Sequence, residues 1–464
     1  MEDVTLQRTA DAVLKVEGMG ALSMPFLVVD CNNDGSIEVT DYFINLFAQA
    51  AQTGKYTILV PTGDYWIRPD RIFMPAMIQL ISIGRAAFIT KENSIYNIMM
   101  RIGSGCKIKD MIFDQRGDTV RLPTRERGCH ILHIIDADNY ELDGNVLYGY
   151  GVTSFLAQPN NGFGNNIKIT NNTAYWERGT TTYFDSTVFN IDGMSGEVHT
   201  NKVIISKKTG VDAWKAESGF EIHSPNMNAY NNTVYNCING ILHVQNPMLQ
   251  SVYDSRQTTR IYNNNIFRCV RGIISWGSCL REGIINRNLD IYDNYVTTHL
   301  EPLGSSYYYP EVGIGLVDGQ PDGSYFKNVR IHDNQIQATY DSSLNVRSIL
   351  DYGREFNHCA IGMVTNNSCE DIDVNNNDID FPYGGVNIIA LQARGTNQHK
   401  RIRVFNNKLK CSYYHVSGDV GQGYSSVYNI ETADDVDIFK NRIYNDPIDI
   451  LRSNNSTNIR YETG

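Results

Sequence analysis

Residues 259–268 read TRIYNNNIFR, in which two short stretches of alternating apolar and polar residues flank a run of Asn. Alternation with a period of two is typical of a strand with one buried face. Asn tolerates left-handed backbone angles and can hydrogen-bond its own backbone, which suits it to a tight bend. The stretch therefore predicts two strands joined at an Asn bend.

The same phrase occurs ten times between Tyr140 and Asn445, each time with Asn at its sixth position. The sixth-position residues are Asn145, Asn172, Asn201, Asn232, Asn264, Asn294, Asn334, Asn377, Asn407 and Asn441. Successive copies are 27, 29, 31, 32, 30, 40, 43, 30 and 34 residues apart. A period near thirty is the length of one superhelical coil, and Asn residues in stacked coils form ladders.

A second phrase lies between the Asn copies. It occurs at 219–224, 240–245, 272–277, 313–318, 360–365 and 385–390. Each coil therefore carries at least two strands. The predicted fold is all-β: a right-handed single-stranded parallel β-helix of about ten or more coils, whose core exists only because the coils stack.

An N-terminal capping helix is predicted over residues 40–52, TDYFINLFAQAAQ, because Phe43, Leu46, Phe47 and Ala50 share one side at helical spacing. A strand, YTILVP, follows at 56–61, and IFDQ at 112–115 reads as part of the first coils.

The predicted division of the chain has four parts. Residues 1–27 are a short head or linker, 28–100 the cap and first strands, 101–455 the β-helix body and 456–464 a tail. The long steps after Asn294 and Asn334 predict loops extruded from the body near 300–325 and 340–358, and such excursions often carry function.

Composition excludes several classes of protein. A net charge of −11 without a basic cluster argues against nucleic acid as a partner. No run of eighteen apolar residues exists, so we expect no membrane insertion. Residues 1–25 lack a basic-then-apolar leader, from which we expect cytoplasmic synthesis without a signal peptide. Nine scattered Cys residues without a CxxC pair are interpreted as reduced packing residues.

Residues 28–67 carry a resemblance to a known group of proteins. Asp34-Gly35, Thr40-Asp41 and the segment PTGDY at 61–65 resemble the opening of the pectate-lyase-like superfamily that is common in bacteriophage tailspikes. Mannuronan epimerases share this opening but carry an Asp-Pro-His-Glu segment, where this chain has GVTSFLAQPN at 151–160. What remains resembles phage tailspike polysaccharide depolymerases. The resemblance implies a homotrimer on the virion tail that acts outside the cell on bacterial capsular or O-antigen polysaccharide, synthesised in the host cytoplasm.

For such a protein the expected reaction is endoglycosidic hydrolysis, which generally needs two carboxyl groups. The richest segment is VDAWKAESGFEIHSPN at 211–226. If Phe220 and Ile222 face the core, Glu221 and His223 face outward. We expect Glu221 to be the general acid, with an ionised partner among Asp192, Glu217 and Asp212.

The predicted substrate-binding residues are Trp214 and Trp276, as flat surfaces for sugar rings, and His223 and His243, as groove-lining residues. No metal and no cofactor is expected. Three alternatives stay open: a lyase acting on a uronic-acid polymer through a Tyr, His or Lys base, a non-catalytic receptor-binding adhesin or structural tail protein, and a site built between subunits.

Overall fold

Strands dominate the computed structural model. It describes residues 7–8, 14–15, 26–91, 97–115, 129–135, 137–150, 155–158, 164–177, 187–205, 218–244, 258–276, 285–299, 312–317, 325–339, 359–365, 369–381, 385–390, 399–411, 426–431, 433–444, 449–454 and 456–462. As predicted, these residues form a right-handed parallel β-helix.

Each coil of the body contributes three strands, one more than the minimum that the sequence predicted, and like strands of successive coils stack into three faces. The third face is a 13-stranded sheet. Its strands are Phe73–Met74, Asn97–Ile102, Cys129–Ile135, Phe155–Gln158, Thr187–Asp192, Ser218–His223, Asn239–Val244, Arg271–Trp276, Val312–Val317, Cys359–Thr365, Val386–Ala390, Ser426–Glu431 and Asp449–Asn454.

The first face holds the strands that precede the Asn bends. They are Phe26–Val28, Thr57–Val60, Glu141–Asp143, Ile167–Thr170, Gly196–His199, Met227–Tyr230, Thr259–Tyr262, Ile285–Tyr292, Tyr325–His332, Glu370–Asn375, His399–Phe405, Ala433–Phe439 and Thr457–Tyr461.

The second face holds the strands that follow the bends. They are Asp34–Glu38, Gly63–Trp66, Val146–Tyr150, Thr173–Glu177, Lys202–Ile205, Thr233–Tyr235, Asn265–Cys269, Tyr295–His299, Gln335–Thr339, Asp378–Asp380, Lys408–Lys410 and Arg442–Tyr444. Two early strands, Gln79–Ile89 and Lys107–Asp114, are long enough to pair with strands of both the first and the second face. In addition to the strands of the β-helix, Gln7–Arg8 pairs with Leu14–Lys15 in an antiparallel ribbon within the predicted head.

The sixth-position Asn side chains form one continuous ladder from Asn145 to Asn441. From Asn145 to Asn407, each Nδ2 donates to Oδ1 of the Asn one coil later, at 2.9–3.0 Å. It also donates to a main-chain carbonyl of the preceding coil, as Asn232 does to Val198 O at 2.8 Å. The ladder satisfies the buried amides, so stacking the coils leaves these groups paired.

The left-handed residue of each bend is the one before the ladder Asn. Asn171, Asn231 and Asn263 have φ of 57°, 55° and 53°, and Gly144 occupies this place with φ of 69°. One position of the bend therefore takes the left-handed backbone conformation, and the next position supplies the side-chain amide that hydrogen-bonds in the ladder.

The predicted capping helix is confirmed at Thr40–Thr53. Phe43, Phe47 and Ala50 are buried against the first coils, as the spacing indicated. Glu38 Oε1 accepts a 2.8 Å hydrogen bond from Thr40 N at the start of the helix, and Gly54 ends it with φ of 69°.

A charged row runs along the outer side of the first face, with one residue from each coil in direct register. Opposite charges are neighbours along most of this charge row, whose members are Lys107, Glu141, Lys168, Glu197, Asn228, Arg260, Asp290, Arg330, Asp373, Arg403, Asp437 and Arg460. Lys107 Nζ lies 2.9 Å from Glu141 Oε2, and Arg403 Nε lies 2.7 Å from Asp373 Oδ1. Opposite charges on adjacent strands stabilise this order of coils.

Beside the charge row, aromatic rings stack along the same face. The rings of His199, Tyr230, Tyr262, Tyr292 and His332 follow one another with centroids 4.5, 4.9, 4.9 and 5.1 Å apart. Their faces contact each other, which leaves only their edges toward solvent.

Some predictions fall partly or wholly outside the described residues. Within the loop expected near 300–325, residues 312–317 form a strand and 325 begins another, whereas 300–311, 318–324 and 340–358 are not described. Cys31, Cys106, Cys269 and Cys411 are free thiols. In the described part of the chain, no helix has the length and apolar character needed to span a membrane.

Candidate functional site

The outer side of the third face carries a group of polar side chains in the middle of the body. Strands Thr187–Asp192 and Ser218–His223 are adjacent there, with Asn190 opposite Glu221 and Asp192 opposite His223. Phe220 and Ile222 are fully buried, so the predicted orientation of this strand is confirmed. Glu221, His223 and Asp192 are only partly buried and lie on the outer side.

Glu221 is held by two donors. Thr187 Oγ1, one coil earlier, donates to Glu221 Oε2 at 2.6 Å, and His223 Nε2 lies 2.8 Å from Oε1. Burial opposes ionisation of this carboxyl, but the bond and charge of His223 and the bond from Thr187 outweigh it and lower the pKa of Glu221. A general acid needs a raised pKa. The lowered pKa favours the ionised form of Glu221, whereas the sequence predicted a general acid; the catalytic role of Glu221 stays a prediction.

His223 links the two described carboxylates. Its Nε2 faces Glu221 Oε1, and its Nδ1 lies 3.3 Å from Asp192 Oδ1. Both ring nitrogens therefore lie beside carboxylate oxygens, and the closer of the two contacts, to Glu221, is a hydrogen bond. The sequence predicted His223 as a groove-lining residue, whereas the structure places it between Glu221 and Asp192.

His243 does not reach the surface. It lies opposite the inward-facing Ile222 and has no exposed area. Its Nδ1 is 2.9 Å from Ser275 Oγ and its Nε2 is 3.2 Å from Ser224 O. Burial lowers the pKa of His243 to about 4. The predicted substrate-binding role of His243 is wrong, because a bound polymer on the outer side cannot contact it.

Trp276 lies on the outer side two coils beyond His223, opposite Val244 and Val317. It packs half-buried against an apolar cluster separate from the main core, formed by Leu242, Ile274, Val312, Val317 and Cys359. Its position fits the predicted contact with a sugar, although packing covers part of the ring. Asp212, Trp214 and Glu217 lie outside the described residues.

Two residues of this group were missed at the level of sequence, Thr187 and Asn190. The segment TVFNID at 187–192 aligns with SGFEIH at 218–223 one coil later, and this alignment predicts Asn190 beside Glu221. Among the described residues no group of three or more His, Cys, Asp and Glu side chains is arranged to hold a metal ion.

Comparison with solved structures gives a clear answer about the fold. The tailspike protein of E. coli bacteriophage HK620 in complex with a pentasaccharide superposes with a TM-score of 0.56 at 12% identity, over 93% of this chain and 76% of that one. The chain shares the fold of a phage tailspike. A variant of the same tailspike, also with pentasaccharide and with a Glu replaced by Gln, gives 0.62 at 12% identity over 97% and 81%. Another, with an Asp replaced by Ala, gives 0.60 at 12% identity over 92% and 74%.

No known protein family and no curated protein matches the sequence. At 12% identity the tailspike likeness is a likeness of fold.

Proposed function

We propose that this protein is a phage tailspike that binds bacterial capsular or O-antigen polysaccharide and cleaves it by endo-acting hydrolysis. The observation that carries the proposal is Glu221, a partly buried carboxyl with a lowered pKa on the outer side of the third face, bonded to Thr187 and His223. The tailspikes of the same fold, solved with a pentasaccharide, support the class of ligand.

The location supports an internal cut. The strands on both sides of Glu221 continue the third face, from Phe73–Met74 to Asp449–Asn454, so a polymer lying on this face extends past the site in both directions. A chain bound in this way is cleaved inside rather than at its end.

Glu221 is suited to activating water or to attacking the anomeric carbon, since both roles need an ionised carboxylate. With Glu221 as base, water transfers a proton to the carboxylate while its oxygen bonds to the anomeric carbon. The glycosidic C–O bond breaks, and the leaving oxygen takes a proton from an acid. Asp192, Glu217 and Asp212, which the sequence suggested as the ionised partner, become the carboxyl candidates for that acid. His223 is the nearest described side chain that can carry a proton.

The proposal includes assembly as a homotrimer on the virion tail. It comes from the resemblance of residues 28–67 and from the tailspike fold. Light scattering of the purified protein gives three times the mass of the 52.4 kDa chain if this part is right.

The test is reducing-end release and product size on a panel of purified capsular and O-antigen polysaccharides. The parent protein is compared with Glu221→Gln and with a matched control, Glu197→Gln, in the charge row of the first face. We expect the parent and control to cleave one polysaccharide into oligosaccharides, and Glu221→Gln to bind it with at least a hundredfold lower rate of cleavage.

Other outcomes would contradict the proposal in different ways. Products that absorb in the ultraviolet as unsaturated uronic acids would establish a lyase instead. Retention of a polysaccharide without any loss of chain length would establish an adhesin. Cleavage by Glu221→Gln at the rate of the parent protein would show that the catalytic site does not lie on this strand.

A further inference from the structure

The outer side of the third face carries buried polar atoms without partners. Both ring nitrogens of His133, Oδ1 of Asn190 and Nε1 of Trp276 are buried and make no hydrogen bond. Leaving such a group unpaired costs about 1–3 kcal/mol, and native proteins contain few of them. Several on one surface indicate that a ligand supplies the missing partners.

His133 and Asn190 lie in one row with Glu221. Strand register places His133 opposite residue 156, residue 156 opposite Asn190, and Asn190 opposite Glu221. Parallel strands are about 4.8 Å apart, so Asn190 is one strand and His133 three strands from Glu221 along the axis. One sugar residue of a polysaccharide is close to one strand spacing in length. The row therefore matches an extended glycan running toward the N-terminal end of the body.

The chemistry of the unpaired atoms indicates what kind of sugar they bind. Asn190 Oδ1 is an acceptor, which needs a hydroxyl or an acetamido N–H. Burial, assisted by the charge of Arg101, lowers the pKa of His133 to about 4, so its ring is neutral near pH 7. A neutral imidazole offers one donor and one acceptor, which is the complement of a sugar hydroxyl.

We propose that His133 and Asn190 are specificity-determining residues that bind uncharged, hydroxyl- or acetamido-bearing sugar residues on the N-terminal side of Glu221. This inference rests on the proposed function and adds to it the direction of the bound chain and the class of sugar at these positions. Asn190 contacts the sugar next to the cleaved bond. His133 contacts another sugar, two positions further along the glycan.

A binding role and a structural role of these side chains differ in their effect on stability. If the atoms await a ligand, apolar replacements of similar size remove an unpaired polar group, so the free protein does not lose stability. If the atoms serve the fold, the same replacements lower the thermal midpoint. His133→Phe and Asn190→Leu make this comparison.

The experiment uses the full chain with Glu221→Gln, so that binding is measured without cleavage. Calorimetric titration with the panel polysaccharide that the parent cleaves gives the dissociation constant, and thermal unfolding gives the midpoint. His199→Phe and Asn265→Leu, on the first and second faces, are the matched controls.

We expect His133→Phe and Asn190→Leu each to weaken binding about tenfold without lowering the thermal midpoint, the loss expected for one hydrogen-bonded position. The controls should leave binding unchanged. Unchanged binding in both test variants would overturn the inference while leaving the proposed function intact, and a lowered midpoint would overturn it by showing a structural role. If neither the parent nor Glu221→Gln binds or cleaves any polysaccharide of the panel, the proposed function fails, and this inference fails with it.

Discussion

Thr187 Oγ1 donates a 2.6 Å hydrogen bond to Glu221 Oε2 across two adjacent coils. This bond ties the orientation of the carboxylate to the stacking of the β-helix, and it helps to lower the pKa of Glu221. The remaining oxygen faces His223, so both Glu221 oxygens are positioned before any ligand binds.

Thr187→Val tests this arrangement through the pH dependence of cleavage. Losing the bond raises the pKa of Glu221, and the ionised form required for catalysis then disappears at a higher pH as the solution is acidified. We expect the acidic limb of the pH–rate profile to shift to higher pH, and we expect the rate at neutral pH to fall about tenfold or less. Thr233→Val, on the second face, is the control. An acidic limb that stays in place would show that Thr187 does not influence the reacting carboxylate.

Asn232→Ala tests the ladder in the middle of the body. It removes the donors to Asn264 Oδ1 and Val198 O and leaves the donors of Asn201 without their acceptor. We expect the free energy of unfolding to fall by about 3 kcal/mol or more, because several buried groups become unpaired. The exposed neighbour Asn265→Ala should change it by less than about 0.5 kcal/mol. Denaturant unfolding of both variants measures the difference, and equal effects would refute the assigned importance of the ladder.

The charge row predicts an unusual result for a charge exchange. Arg330 lies between Asp290 and Asp373, so Arg330→Asp places three carboxylates on successive coils. We expect a loss of about 1 kcal/mol at low salt that shrinks as salt is added. Adding Asp373→Arg does not restore stability, because the new cation adjoins Arg403 and the new carboxylate adjoins Asp290. Full recovery of stability in the double variant would show that the interaction between residues 330 and 373 alone determines the effect, and that their other neighbours in the charge row do not contribute.

His332 makes stability depend on pH. Hydrogen bonding to Asp290 is the largest cause of its raised pKa, with Asp333 contributing. Because the folded pKa exceeds the unfolded value near 6.5, the stabilisation is fully present below that value and is lost as pH rises through the folded pKa. The parent should lose thermal stability relative to His332→Gln as pH is raised above about 6.5. Parallel pH dependences of the two proteins would contradict this assignment.

Much of the fold could be predicted because the repeat exposes the same constraint in every coil. The Asn bend needs a left-handed residue and a buried amide, and both leave a fixed signature around Asn172 or Asn264. The amphipathic spacing of Phe43, Phe47 and Ala50 likewise defines the cap. The second phrase coincides with the third-face strand from Ser218–His223 onward, whereas earlier third-face strands such as Phe155–Gln158 lack its leading glycine and were not predicted.

The site was predicted less completely, for physical reasons that differ between residues. His243 was misplaced although a signal existed: aligning Gly219 with Gly240 puts His243 in the inward place of Ile222. Thr187 aligns with Ser218 in the same comparison of segments, but that alignment does not reveal that its hydroxyl donates to a carboxylate three residues further along the next strand. The protonation of Glu221 depends on which neighbours reach it, and no spacing in the sequence contains that information.

The central claim is that the outer side of the third face around Glu221 is where the polysaccharide is bound and cut. The most direct test is a crystal structure of the Glu221→Gln protein with an oligosaccharide released by the parent. We predict a glycan along the third face, with a glycosidic oxygen or anomeric carbon within about 3.5 Å of the residue 221 side chain. A glycan seated instead on the first or second face, or held between subunits away from residue 221, would contradict it.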